Sequence, residues 1–262
     1  MTLRIVISAL MLSFAMAAQA ADRQALRWCY EDASALPWTR PDGTGLNLEL
    51  LRTAEKNLHE RFVYVARPWK RCIEEMRKGD FDGIFAAGES EERRTFGVFP
   101  SLPGGAIDPA RALHEDRFQV FLRKGSAASW DGKTLLPTAK GVLTQRGYMI
   151  AGDLRERGFD AKESTNSAPD ALRQLAAGMF DIAVVQGPEA AKLLRTDNAL
   201  AEKITLSPIP YAVRPMYLLV AKSVYAKDPK RIESIWTLIG ETRKSPHYRT
   251  HEAKALQLQL SE

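Results

Sequence analysis

Residues spaced for bond-making chemistry are scarce in this chain. It has no Gly-x-Ser-x-Gly elbow, no phosphate-binding Gly-rich loop before a Lys, and no Gly-x-Gly-x-x-Gly. Of its four histidines, His247 and His251 alone are four apart, and no His-Glu-x-x-His surrounds them. The carboxylate pairs Glu74-Glu75 and Glu91-Glu92 stand in charged runs, where solvation is the default. No catalytic residue, metal or cofactor is expected. What remains is recognition chemistry. Arg93 offers a planar fork of donors suited to a carboxylate; by position alone it could equally pair with Glu91 or Glu92 at the surface. Trp69 is either a stacking platform at a cleft or core packing at a helix start. Trp38, behind Pro37 in a long loop, is a further stacking candidate.

These residues need elements to hold them. Pro68 to Lys78 reads as a helix, with Ile73 and Met76 inward and Gly79 as a left-handed C-terminal cap. Phe81 to Ala87 reads as a short buried strand, after which a polar loop carries Arg93. Strands are expected at Leu26–Tyr30 and Phe62–Ala66, with a helix from Leu46 to about Leu58. The order β-α-β-α-β implies a mostly parallel sheet with helical crossovers, whose strand ends are where ligands dock. Further on, strands are expected at Phe118–Leu122, Gly141–Thr144, Ile182–Val185, Ile204–Ile209 and Met216–Ala221. Helices are expected at Tyr148–Arg157, Ala168–Ala177, Pro188–Leu194 and Pro229–Glu241, and a last one opens at Ser245-Pro246. Gly79-Asp80-Phe81-Asp82 ends a helix and opens an apolar strand, and Gly178-Met179-Phe180-Asp181 does the same in the second half. This echo implies two similarly built α/β lobes.

The 262 residues suffice for such a pair, and 45 % hydrophobic content is ordinary for a globular chain. Arg4, the apolar run Ile5–Ala18 and Ala18-Gln19-Ala20 form a secretory leader, residues 1–20, with cleavage after Ala20 or Ala21. Export is therefore expected, and no later stretch reaches membrane-spanning length. An oxidising compartment lets Cys29 and Cys72 pair; two separate buried thiols are the alternative. The net charge is +5 and the pI about 9.2. Acids and bases interleave without a basic block, which argues against a nucleic-acid partner.

As a set, several motifs resemble the family 3 extracellular solute-binding proteins, the periplasmic receptors of polar amino-acid ABC importers. They are Gly45-Leu46-Asn47-Leu48-Glu49-Leu50, Met76 to Asp82, Ser90-Glu91-Glu92-Arg93 with Phe99-Pro100 beyond it, and Trp130-Asp131-Gly132-Lys133. The resemblance implies a type II periplasmic binding protein fold: two lobes, each a mixed sheet flanked by helices, with ligand between them. Lobe one would hold residues 22–116 and 214–262, and lobe two 117–213. It implies that Arg93 grips a ligand carboxylate, that Trp69 stacks on the ligand, and that Glu31 or Asp32 reads its far end. It also implies that Gly147 and Tyr148 help hold the carboxylate at a helix N-terminus. Two positions depart from the family pattern. Gln186 stands where the family has an ammonium-binding Asp, and Ala86, Ala87 and Gly88 replace small hydroxyl residues before the arginine. The segment Pro68 to Cys72 resembles a poorly characterised branch of the family in which Cys72 could reach Cys29. The implied function is capture of a small carboxylate-bearing solute, an amino acid or derivative, by a monomeric periplasmic receptor serving an inner-membrane permease. An enzyme on the same scaffold, dehydratase-like, and a sensing module for a membrane partner are the alternatives.

Overall fold

Twelve strands and ten helices make up the described part of the chain. The computed structural model describes residues 24–260, and the expected leader lies outside them. The first half runs β1 (Leu26–Glu31), α1 (Leu46–Asn57), β2 (Phe62–Arg67), α2 (Trp69–Lys78), β3 (Gly83–Gly88), α3 (Glu91–Arg94) and β4 (Gly97–Val98). Long strand β5 (His114–Arg123) leads to a small ribbon of β6 (Ser129–Trp130) and β7 (Leu135–Leu136). Then come β8 (Val142–Gln145), α4 (Met149–Glu156), β9 (Ala161–Thr165), α5 (Ala168–Ala176), β10 (Ile182–Gln186), α6 (Gly187–Thr196), α7 (Asn198–Lys203) and β11 (Ile204–Leu206). A second long strand, β12 (Ala212–Ala221), precedes α8 (Lys222–Lys227), α9 (Pro229–Lys244) and α10 (Pro246–Leu260).

The main sheet has the order β2-β1-β3-β12-β5-β10-β8-β9. That order is a palindrome in structural role. On each side a β-α-β-α-β unit lays down three parallel strands, β2-β1-β3 and β9-β8-β10. Each unit then meets a long antiparallel strand, β12 beside β3 and β5 beside β10. The two long strands pair with each other, Ala212 to Phe118 through Met216 to His114. The ladder therefore runs unbroken from one lobe to the other through β5 and β12.

Each lobe has its own core on both faces of its sheet. In lobe one α1 and α9 cover one face, with Leu46, Leu50, Leu51, Ile232, Ile235, Trp236 and Ile239 buried against Trp28 and Phe85. Every apolar side chain so buried contributes about 1.5–3 kcal/mol. The Trp236 indole N–H donates to the Leu218 carbonyl at 2.9 Å, so its polar edge is satisfied inside the core. The other face carries α2, tied to β1 by the disulfide Cys29–Cys72. In lobe two α5 and α6 cover one face and α4 the other.

Local signals placed most boundaries. Gly79 takes φ 87° as the C-cap of α2. Ser167 accepts from the Asp170 amide and Pro169 fills the first turn of α5. Ser245 accepts from the Tyr248 amide at 3.2 Å and so caps α10. Four readings need correction. Arg93 lies in a one-turn helix with Ser90 as N-cap, not in a loop. β5 starts at His114, because His114 and Asp116 continue the inward alternation of Phe118 and Val120 with polar side chains. The strand expected to reach Ile209 ends at Leu206. Ile73 is only partly buried, and Cys72 takes the inward position beside Met76.

Candidate functional site

The C-terminal ends of the parallel strands face each other across the crossing, and the functional candidates gather there. Glu31 ends β1, Gly88 ends β3 and Gln186 ends β10. Trp69 opens α2, Arg93 lies in α3, and Tyr148 is the N-cap residue of α4. A small cavity between the lobes is lined by Tyr30, Glu31, Trp69, Phe85, Gly88, Arg93, Phe118, Tyr148, Met149, Gln186 and Met216.

Arg93 is 5 % exposed. The neighbouring charges are committed elsewhere: Glu92 pairs with Arg77, and Arg94 pairs with Glu89. Among the described residues no carboxylate lies within ion-pair distance of Arg93. Its guanidinium instead donates to the Gly88 carbonyl at 2.7 Å and to the Gly147 carbonyl at 3.3 Å. Its carbon sits 5.4 Å from the Trp69 ring centroid, a cation–π arrangement. Burial lowers its pKa to about 10, so it stays charged at neutral pH. Arg93 is thus a buried cation held only by neutral carbonyls, with no protein anion to balance its charge among the described residues.

Trp69 is 6 % exposed, lines the cavity and donates its indole N–H to the Gly147 carbonyl at 3.1 Å. Gly147 thus presents its carbonyl, not its N–H, to Arg93 and Trp69. Its N–H donates to Glu163 at 2.7 Å, and Glu163 also pairs with Arg155. The carboxylate cradle expected from that N–H is therefore occupied by a side chain of the protein. Gly147 sits at φ 75°, and an added Cβ would stand 3.3 Å from the Trp69 ring.

A polar chain crosses the cavity opposite Arg93. The Tyr148 hydroxyl meets the Glu31 carboxylate in a very short contact and the Gln186 side-chain oxygen at 3.1 Å. The Gln186 amide nitrogen donates to Asp116 Oδ2. Glu31 as a residue keeps some surface, but its carboxyl is desolvated. That burial pushes its pKa up to about 8, against the opposing hydrogen bond from Tyr148 and with smaller contributions from Asp32 and Asp116. Burial likewise raises Asp116 to about 7.

Of the pair Glu31 and Asp32, the structure turns Glu31 into the cavity. Asp32 lies on an outer rim with Lys70, Arg71 and Arg146. Trp38 does not reach the cavity: it is core, stacked on His114 with centroids 4.2 Å apart, because the loop around it folds under α1. Gly88 leaves room for Met149 of the other lobe; an added Cβ would come within 2.2 Å of the Met149 sulfur. Sequence reasoning missed Asp116, Tyr30, Phe85, Phe118, Met149 and Met216. Only the strand alternation through β5 could have flagged Asp116.

No protein-family model matches the chain, and no curated protein matches it in sequence. Solved structures do. A histidine kinase sensor domain with similarity to periplasmic binding proteins matches with TM-score 0.69 and 20 % identity, covering 90 % of this chain and 97 % of that one. The GluR0 ligand-binding core from Nostoc punctiforme, in complex with L-glutamate, matches with TM-score 0.66 and 16 % identity, covering 88 % and 98 %. The substrate binding protein of an amino acid ABC transporter matches with TM-score 0.65 and 16 % identity, covering 89 % and 100 %. The chain therefore has the two-lobed fold of the periplasmic binding proteins, the fold its motifs resemble.

Proposed function

We propose that this chain is an exported solute-binding protein that captures a small carboxylate-bearing ligand by closing two lobes around it. The observation that carries this reading is Arg93: a buried cation at the lobe interface, bonded only to neutral carbonyls and backed by the Trp69 ring. A carboxylate would replace the weaker carbonyl contacts with a charge-assisted pair. Delivery to an inner-membrane ABC permease is the output we favour, with the protein monomeric in the periplasm and acting as a binder rather than an enzyme. Similarity to a kinase sensor domain supports a second output, signalling through a membrane partner, from the same ligand site.

A thermal-shift screen of carboxylate metabolites tests the reading. A ligand that binds only the folded chain raises the unfolding midpoint, by about 2.7 kcal/mol of stability at a hundredfold excess over Kd. Arg93→Ala should abolish that rise. A variant that responds as the parent does would remove Arg93 from the site. Disappearance of the ligand during incubation would replace binding with catalysis.

A further inference from the structure

The polar chain opposite Arg93 carries a constraint on its protons. Tyr148 has one hydroxyl hydrogen and two acceptors in reach, Glu31 and the Gln186 side-chain oxygen. The Gln186 amide is oriented with its nitrogen toward Asp116, so its oxygen is the atom that faces the Tyr148 hydroxyl. If Tyr148 gives its hydrogen to Gln186, the short contact with Glu31 places two oxygens together. That contact is favourable only if Glu31 carries the hydrogen. One consistent direction then runs along the chain, from the Glu31 carboxyl to Tyr148, from Tyr148 to Gln186, and from Gln186 to Asp116. Asp116 accepts through Oδ2, and the chain as a whole is neutral when Asp116, raised to about 7 by burial, is protonated too. Its other oxygen, Oδ1, is buried without a hydrogen bond, a poor setting for a full negative charge.

Building on the reading of Arg93 above, we propose that this relay makes the pole opposite Arg93 neutral, with Glu31 as a protonated donor, so that the cleft selects carboxylates lacking a cationic group. Three further observations agree. Position 186 is an amide. The cavity wall between the poles is mostly apolar, with Phe85, Phe118, Met149 and Met216, and Thr39 brings a hydroxyl but no charge. The charged groups around Glu31 do not supply a counter-ion. Asp32 disfavours its ionisation, Arg67 beside it on β2 turns to Glu75, and Lys70, Arg71 and Arg146 line an outer pocket that Glu31 borders, where the acids Asp32 and Glu74 stand among them. Arg93 is engaged by the two carbonyls. A zwitterionic ligand would bring its ammonium to a pole with no carboxylate to balance the charge unless Glu31 gave up its proton.

The proton can be observed directly by carbon-13 NMR of the glutamate carboxyls, the Glu31 line being the one lost in Glu31→Gln. In the purified chain with no carboxylate added, that line should titrate near pH 8 while exposed glutamates titrate near their usual value of about 4.3. Gln186→Leu frees the Tyr148 hydrogen for Glu31 and should move the line down by about one pH unit. A line titrating with the other glutamates, or one that does not move in Gln186→Leu, overturns the relay.

The ligand class is tested with matched skeletons, 3-phenylpropanoate against L-phenylalanine and 4-methylpentanoate against L-leucine, within a wider carboxylate library at pH 6. Members without the amine should give the Arg93-dependent rise in Tm, and their amino-acid counterparts should bind at least about tenfold more weakly. Equal or tighter binding of a free amino acid overturns the selection. A library in which no carboxylate responds sinks the reading of Arg93 and this ligand class together, while the NMR line would still decide the proton.

Discussion

β3 and β10 hold equivalent places in the two halves of the sheet. Each follows a helix closed by a left-handed glycine, Gly79 or Gly178, and each is preceded by Phe-Asp. Each pairs in parallel with the first strand of its unit and antiparallel with a crossing strand. Their ends differ in chemistry. β3 ends at Gly88 and hands the chain to a helix that buries the cation Arg93. β10 ends at Gln186, part of a neutral relay with Tyr148 and Asp116. One scaffold used twice thus gives a cleft with one charged jaw and one uncharged jaw. The shared part of the pattern fixes the fold, and the unshared residues at the strand ends fix what the cleft can hold.

The jaws also differ in how they are braced. In lobe one the disulfide ties β1, which carries Glu31, to α2, which carries Trp69, across a separation of 43 residues. In lobe two no cystine does this work; Asp181 gathers Arg123, Lys140 and Thr138 at the start of β10. Replacing both cysteines with serine should cost about 4 kcal/mol by loop-closure entropy, read by urea denaturation of the oxidised chain and the variant. A loss under about 1 kcal/mol would show that lobe one does not depend on its covalent tie.

The repeated aspartates give a paired test at matched positions. Asp181 is 3 % exposed. Burial opposes its ionisation, but hydrogen bonds from Thr138, Arg123 and Lys140 outweigh that and lower its pKa. Asp82 is only partly buried and accepts from the Arg27 amide at 2.7 Å. Asp181→Asn should therefore cost about 2 kcal/mol and Asp82→Asn less than about 1 kcal/mol. The sign with pH follows from the lowered pKa. The Asp181 contribution is present above its unfolded value of 3.8 and disappears as pH falls through the folded one, so Asp181→Asn should narrow its deficit in acid. Equal costs at the two positions would erase the difference in bracing.

Much of this was legible in the sequence because it is local. Caps at Gly79, Ser167 and Ser245 and the apolar face of α9 depend on neighbours within a few residues, and the alternation of strands and helices is read from such local signals in turn. Arg93 and Trp69 were singled out through residue type and motif, and the Cys29–Cys72 pair through the export that the expected leader implies. What could not be read depends on distant contacts. Trp38 and Trp69 are both aromatics beside a proline; tertiary packing sends one under α1 against His114 and the other to the cavity. Gly147 was expected to offer its N–H, but Glu163, sixteen residues away, takes it. Asp116 was hidden because a polar residue on the inward side of a strand masks the alternation that marks the strand.

The finest contrast between the jaws is a single backbone angle. In β3 the pairing with β12 slips between Tyr217 and Leu218: Ala87 faces Tyr217 and Phe85 faces Leu218, which leaves Ala86 as an extra, unpaired residue. Ala86 adopts φ 62°, in the left-handed region, and it lines the cavity. β10 reaches Gln186 with no such slip against β5. The bulge lets Ala87 stay buried while Gly88 ends the strand at the cleft, with its carbonyl on Arg93. A non-glycine residue in that conformation costs about 1–2 kcal/mol, which the surrounding sheet must hold in place. Ala86→Gly should recover up to about 1 kcal/mol of that, net of the added freedom of the unfolded glycine, and raise the urea midpoint without a change in slope. It should leave the Arg93-dependent ligand response intact. A fall in stability would mean that the Ala86 methyl, packed between Phe85 and the crossing strand, contributes more than its backbone strain takes away.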